Sequence, residues 1–201
     1  VNKQYKNVKV AWQRQLDWGI HGSVAVADGR VFVGDDSGMM RCFDLAKGKQ
    51  LWQYKTAQCI AAAPVVAHNK VLFGSGDNNI YCLDATDGRL LWKQPTGQAV
   101  CATPVVAADV AFVGSGDAKM RAVNVESGAV LWTCVEPQGF VQNSAVLCDK
   151  NVVFGAADKT LYAVDATLGQ TVWRCALPGN PVTVPYIAGG HLFVVTDNGR
   201  V

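Results

Sequence analysis

Tryptophan returns along this chain at an almost constant interval. Trp12, Trp52, Trp92, Trp132 and Trp173 are separated by 40, 40, 40 and 41 residues. Two glycine series keep the same step, Gly34, Gly74, Gly114, Gly155 and Gly48, Gly88, Gly128, Gly169. So does the polar series Asp44, Asp84, Asn124, Asp165. A fixed period of this length means a repeat architecture, in which no unit buries its apolar surface alone and each must stack on a neighbour. The single extra residue falls between Trp132 and Gly155 and is expected in the Val135 to Phe140 segment.

One period reads entirely as strand. Between residues 61 and 95, the apolar runs Ala63-Pro64-Val65-Val66-Ala67, Val71-Leu72-Phe73-Gly74, Ile80-Tyr81-Cys82-Leu83 and Arg89-Leu90-Leu91-Trp92-Lys93-Gln94 alternate with turn segments. The turns are His68-Asn69-Lys70, Ser75-Gly76-Asp77-Asn78-Asn79 and Asp84-Ala85-Thr86-Asp87-Gly88, rich in residues that tolerate positive φ. No segment carries a 3.6-residue period. Four short strands joined by hairpins make an antiparallel sheet that is apolar on both faces, and radial stacking of such sheets is a β-propeller with one blade per repeat.

Composition narrows the class further. Half of the 201 residues are hydrophobic and only 17% are charged, which excludes disorder as the main state. The net charge is +2, and the lysines and arginines are scattered without a run, so no nucleic-acid or acidic-lipid surface is indicated. Apolar stretches such as Ala61 to Ala67 are too short to span a bilayer. Seven cysteines include no adjacent pair and no CxxC spacing, so neither a zinc nor a redox motif is supported. Cys42 and Cys82 stand two residues before their turn aspartates, and Cys134 and Cys175 in matching fourth-strand positions, which is the pattern of a small packing residue.

The tryptophans close a motif of fixed wording, Asp-x-x-x-Gly-x-x-x-Trp, running from Asp44 to Trp52, Asp84 to Trp92, Asn124 to Trp132 and Asp165 to Trp173. A small residue lies two positions before it, Cys42, Cys82, Ala122 or Ala163. This resembles the Ala-x-Asp-x-x-Thr-Gly-x-x-x-Trp docking motif of the PQQ-like (pyrroloquinoline quinone repeat, BamB-like) β-propeller family, and the resemblance covers essentially the whole chain. The Thr position departs from it, holding Lys47, Asp87, Ser127 and Leu168. The resemblance implies that Trp12, Trp52, Trp92, Trp132 and Trp173, with Gly48, Gly88, Gly128 and Gly169, tie neighbouring blades together. A large aromatic recurring once per repeat at a strand end is independently an inter-blade staple.

The expected organisation is one all-β domain over residues 1–201. Its repeats are roughly 16–55, 56–95, 96–135, 136–176 and a partial 177–201, with 8–15 as a fourth strand belonging to a shared or missing blade. Four blades are complete and a partial one stands at each end. Either the ends join into a shared fifth blade, or the chain is a piece of a seven- or eight-bladed propeller, the sizes the resemblance implies. Open blade edges would invite self-association.

Propellers bind on the face carrying the loops into the first strands. Aligned repeats put His21, Ala61, Cys101, Gln142 and Val182 in one series there, Gly22, Ala62, Ala102, Asn143 and Thr183 in the next, and Ser23, Ala63, Thr103, Ser144 and Val184 in a third. The polar departures His21, Cys101, Gln142 and Asn143 are the candidate ligand contacts. Trp18, outside the repeat series, and Phe140, in a similar loop, are candidate aromatic anchors for a partner. Asp36, Asp77, Asp117, Asp158 and Asp197 recur in hairpin turns without calcium-loop spacing and read as turn formers, so no metal is expected.

No nucleophile or acid–base set is recognisable, so catalytic residues are not assigned. The resemblance extends to quinoprotein dehydrogenases, which carry adjacent cysteines, a calcium site and a catalytic Asp; none of these is matched here. The favoured function is a non-catalytic propeller module that binds a protein partner or small ligand at the channel mouth, with no cofactor. The alternative is a PQQ-dependent quinoprotein dehydrogenase or its degenerate remnant, with PQQ as cofactor. The resemblance implies the periplasm or cell surface, while seven unpaired cysteines would suit the cytoplasm.

Overall fold

A computed structural model describes residues 9–201. Its regular structure is β throughout, in four four-stranded antiparallel sheets and one two-stranded sheet. Blade one contains β1 (Ala25–Ala27), β2 (Arg30–Gly34), β3 (Met39–Asp44) and β4 (Gln50–Lys55). Blade two contains β5 (Val65–Ala67), β6 (Lys70–Ser75), β7 (Asn79–Asp84) and β8 (Leu90–Pro95). Blade three contains β9 (Val105–Ala107), β10 (Val110–Ser115), β11 (Lys119–Asn124) and β12 (Val130–Cys134). Blade four contains β13 (Val146–Cys148), β14 (Asn151–Ala156), β15 (Thr160–Asp165) and β16 (Thr171–Ala176). The last sheet pairs β17 (Tyr186–Ala188) with β18 (His191–Phe193). The strands are in meander order, so each blade is a partial-propeller unit built from consecutive hairpins.

The core lies between blades rather than within them. Phe32, Met40, Cys42 and Trp52 of the first repeat pack on Ile60, Val71, Phe73, Tyr81 and Leu83 of the second. Leu72, Ile80, Cys82 and Val100 meet Ala111, Val113, Val123 and Val125 of the third blade. Phe112, Met120, Ala122 and Cys134 meet Val152, Phe154, Tyr162 and Val164 of the fourth. Sheets that are apolar on both faces bury those faces only against copies of themselves.

The recurrent tryptophans make the join. Trp12, Trp52, Trp92 and Trp132 donate their indole N–H groups to the carbonyls of Leu45, Ala85, Val125 and Ala166, at 2.8, 3.1, 3.0 and 3.0 Å. Each acceptor lies in the turn joining the third and fourth strands of the following blade. Each ring also covers that turn's glycine, Gly48, Gly88, Gly128 or Gly169. At Gly88 φ is +76°, and a Cβ there would meet the Trp52 ring at 2.6 Å, so both backbone conformation and space demand glycine. The turn is closed by the residue that opens it. Asp44, Asp84, Asn124 and Asp165 side chains accept from backbone N–H groups two or three residues on, and their carbonyls accept from the glycine N–H. The donors are main-chain, which is why Lys47, Asp87, Ser127 and Leu168 are all tolerated within it.

A bulge aims the indole. The ladder between third and fourth strands slips beside Cys42, Cys82, Ala122 and Ala163, leaving Leu51, Leu91, Leu131 and Val172 unpaired next to the tryptophans. The bulge increases the local twist and re-aims the neighbouring side chain. The small residue lies directly opposite Trp, Cys42 against Trp52 and Cys82 against Trp92.

The expected strand at 8–15 is not seen among its described residues, 9–15. A fourth strand needs a third strand beside it, and among the described residues none pairs with this segment. The segment is held instead by its side chains: Trp12 on Gly48, Arg14 Nε donating to Gly48 O at 2.7 Å, and Leu16 against the Val31, Val33 and Phe43 cluster. At the other end Trp173 is 39% exposed and lines an apolar cavity of about 550 Å³ with Leu161, Leu177, Leu192 and Val194.

Replacing Gly128 (φ +73°, under Trp92) by Ala is expected to destabilise the chain by at least about 2 kcal/mol, since left-handed strain and ring displacement add. Urea unfolding of the two proteins measures it; a shift below about 0.5 kcal/mol would contradict the staple.

Candidate functional site

Four turns and the loops that enter each blade share one face. The four loops that enter blades two, three and four and the last sheet are each anchored twice. An aliphatic side chain, Ile60, Val100, Val141 or Pro181, fills the space left by a second-strand glycine of the preceding repeat, Gly34, Gly74, Gly114 or Gly155. A carboxylate then takes a main-chain N–H of the loop. Asp77 Oδ2 accepts from Ala57 at 3.0 Å, Asp117 Oδ2 from Gly97 at 2.9 Å, Asp158 Oδ2 from Gln138 at 2.8 Å and Asp197 Oδ1 from Asn180 at 3.0 Å. These aspartates were expected only to form turns; they also fix the loops that build the mouth. Their regular recurrence was legible, but a bond across 17 to 20 residues has no local signature.

The groups behind the carboxylates alternate. Arg121 and Ser115 hold Asp117, and Tyr81 and Tyr162 donate their hydroxyls to Asp77 and Asp158, each at 2.8 Å. In blade one the register differs: Arg41 and Ser37 hold the fully buried Asp35, and Asp36 Oδ2 meets His21 Nε2 at 3.0 Å. Burial alone would raise the Asp117 carboxyl, but Arg121, Ser115 and the Gly97 N–H outweigh it and hold it at about 2. Burial and the bond to Asp158 push the Tyr162 hydroxyl up to about 12.

The anchored loops enclose a polar cavity of about 330 Å³ at the inner ends of the blades. His21, Cys101, Gln142 and Asn143 all line it, with Ser23, Thr103, Ser144 and Thr183 between them. The structure thus gathers four of the six candidate binding residues. Asn143 is partly committed, donating its amide to Pro181 O at 2.6 Å, and Ser144 Oγ accepts the Thr103 N–H at 3.0 Å, so both also join blades. Burial, with a smaller contribution from Cys59, raises the Cys101 thiol and keeps it neutral. Trp18 and Phe140 do not line the cavity. They stand on two of its loops, 59% and 51% exposed. Among the described residues no group of three or more His, Cys, Asp or Glu could hold a metal ion, and all seven cysteines are free.

The model of the family described as outer membrane protein assembly factor BamB matches residues 6–81, 60–155 and 138–201. The chain belongs to the PQQ-like, BamB-type β-propeller family. Among solved structures, BamB from Moraxella catarrhalis superposes with a TM-score of 0.83 at 20% identity over 94% of this chain. The computationally designed Ika8 protein gives 0.79 at 20% identity over 88% of it. This chain spans 62% of the first structure's length and 55% of the second's. A search of curated proteins returns no match. Both structural likenesses concern the propeller fold. No helix among the described residues is long and apolar enough to cross a membrane.

Because Asp117 is held below its ordinary 3.8, its contribution is complete above about pH 4 and is lost as pH falls through its folded value of about 2. Asp117→Asn is therefore expected to lower stability by about 2 kcal/mol at neutral pH and to flatten the loss between pH 4 and 2. Urea midpoints measured across that range check it; equal slopes for both proteins would contradict the role given to Asp117.

Proposed function

We propose that this propeller is a non-catalytic binding module that receives a protein partner on its channel-mouth face. The carrying observation is the pairing of a polar cavity with exposed aromatics on its own loops: Trp18 shares a loop with His21, and Phe140 shares one with Gln142. Exposed aromatics beside a polar, partly solvated recess have the make-up of an interface anchor with hydrogen-bonding neighbours. The family's description as an assembly factor supports a protein, rather than a metabolite, as the occupant. Self-association would use a different surface, the apolar flank around Trp173.

The lining argues against the quinone alternative. PQQ is a tricarboxylate, and the cavity offers it no Lys or Arg, with His21 the one basic side chain. Nor does the cavity contain the carboxylates that would hold a calcium ion beside it.

A photo-crosslinking amino acid at position 18 or 140 is expected to capture the same discrete protein in cells, and one at Lys93, on a fourth strand, to capture none. Capture from Lys93 alone, or saturable PQQ binding with quenching of indole fluorescence, would overturn the proposal.

A further inference from the structure

The loop between β12 and β13, residues 135–145, carries Phe140, Gln142 and Asn143, and it is fastened less completely than the loops at 56–64, 96–104 and 177–185. Two independent observations show this. First, the Asp158 carboxylate that pins it is half satisfied. Oδ2 accepts from Gln138 and Tyr162, while Oδ1 is shut away from solvent and accepts nothing from the protein. In blade two the corresponding Oδ1 takes the Asn79 amide, and in blade three it takes Ser115 and Arg121. The cause is compositional: Ala156 stands where Ser75 and Ser115 stand, and Thr160 where Asn79 stands.

Second, the loop holds the chain's extra residue, and the insertion falls before Gln138. The other loops leave their blades with one more main-chain bond, Thr56 N to Gly38 O, Thr96 N to Asn78 O and Leu177 N to Lys159 O. Among the described residues the matching bond onto Ala118 is missing. The side-chain clips Thr56 Oγ to Gln58 O and Thr96 Oγ to Gln98 O have no equivalent here, where Glu136 and Pro137 occupy that stretch, nor at Leu177, whose loop keeps the main-chain bond instead.

We propose that the 135–145 loop is a movable wall of the channel mouth, opening while the loops at 56–64, 96–104 and 177–185 stay fixed. A buried carboxylate oxygen without a donor carries an uncompensated desolvation cost, so detaching Asp158 from Gln138 returns to water a group the fold holds poorly. Opening would swing Phe140 and Gln142 together and uncover Cys101, whose neighbour Thr103 is tied to the loop through Ser144. That such opening admits a partner rests on the mouth being the partner face; the motion itself is tested on the chain alone.

The test is amide exchange on the wild type and on Ala156→Ser, which restores the missing hydroxyl donor. In the wild type the Gln138 amide is expected to exchange at least about ten-fold faster than Ala57 and Gly97, whose carboxylates are fully bonded. Ala156→Ser is expected to slow residues 136–141 by about ten-fold and leave Ala57 and Gly97 unchanged. Alkylation of Cys101 by iodoacetamide is expected to slow in parallel, with the exposed Cys175 as internal reference. Asp158→Asn, which weakens the pin without adding volume, is expected to speed exchange in 136–141 alone. Equal wild-type exchange at Gln138, Ala57 and Gly97 would overturn the proposal. So would slowed loop exchange with unchanged Cys101 alkylation, since the loop would then not close the mouth.

Discussion

An indole lying on a left-handed glycine in the next blade is the contact on which the rest of this molecule depends. It is made four times, with an N–H to carbonyl bond each time, and it fixes both the spacing and the rotation between blades. Every other feature is arranged to permit it. Asp or Asn opens the turn that presents the glycine, a small residue sits opposite Trp, and a bulge re-aims the ring. With blades set at that spacing, their apolar faces close on one another and the core becomes a series of interfaces. The entering loops are then brought side by side on one end.

Much of this was legible because it repeats. The interval between tryptophans, the turn wording from Asp44 to Trp52 and the alternation of short apolar runs each recur, and a repeated pattern averages out the ambiguity of any single copy. The mouth residues were found the same way, as departures His21, Cys101, Gln142 and Asn143 in columns that otherwise hold Ala, Gly, Val and Thr. What repetition could not reveal was tertiary. The bulge beside Leu51 and its equivalents depends on how a fourth strand packs on the next blade. The carboxylate that reaches from Asp117 to Gly97 spans 20 residues and a change of element. The segment 9–15 carries the right residues for a strand, but a ladder needs a partner strand that pattern alone does not supply. Trp18 and Phe140 were readable as loop aromatics, yet their position outside the cavity follows from the direction each loop takes.

The mouth is chemically coherent. Its polar walls are hydroxyls, amides, a neutral thiol and one histidine, set among small and aliphatic residues, while carboxylates behind them hold the loops. Asp77 and Asp117 bond to the buried Tyr81 and Arg121 and to main-chain N–H groups of the loops, and neither lines the recess. On the proposed reading, such a surface would take neutral hydrogen-bonding groups from a protein, with the two aromatics outside it adding contact area. Rigidity at three loops and slack at the fourth would let one wall adapt without loosening the blades.

The most direct test of the central contact is a double-mutant cycle on Trp52 and Gly88, using Trp52→Ala, Gly88→Ala and the pair. If the ring and the turn form one unit, Gly88→Ala should cost much less once Trp52 is absent, leaving about 1 kcal/mol of backbone strain, with a coupling of about 1.5 kcal/mol or more. Additive costs would mean that the indole and the glycine stabilise the fold separately, and that the blade spacing is set by something else.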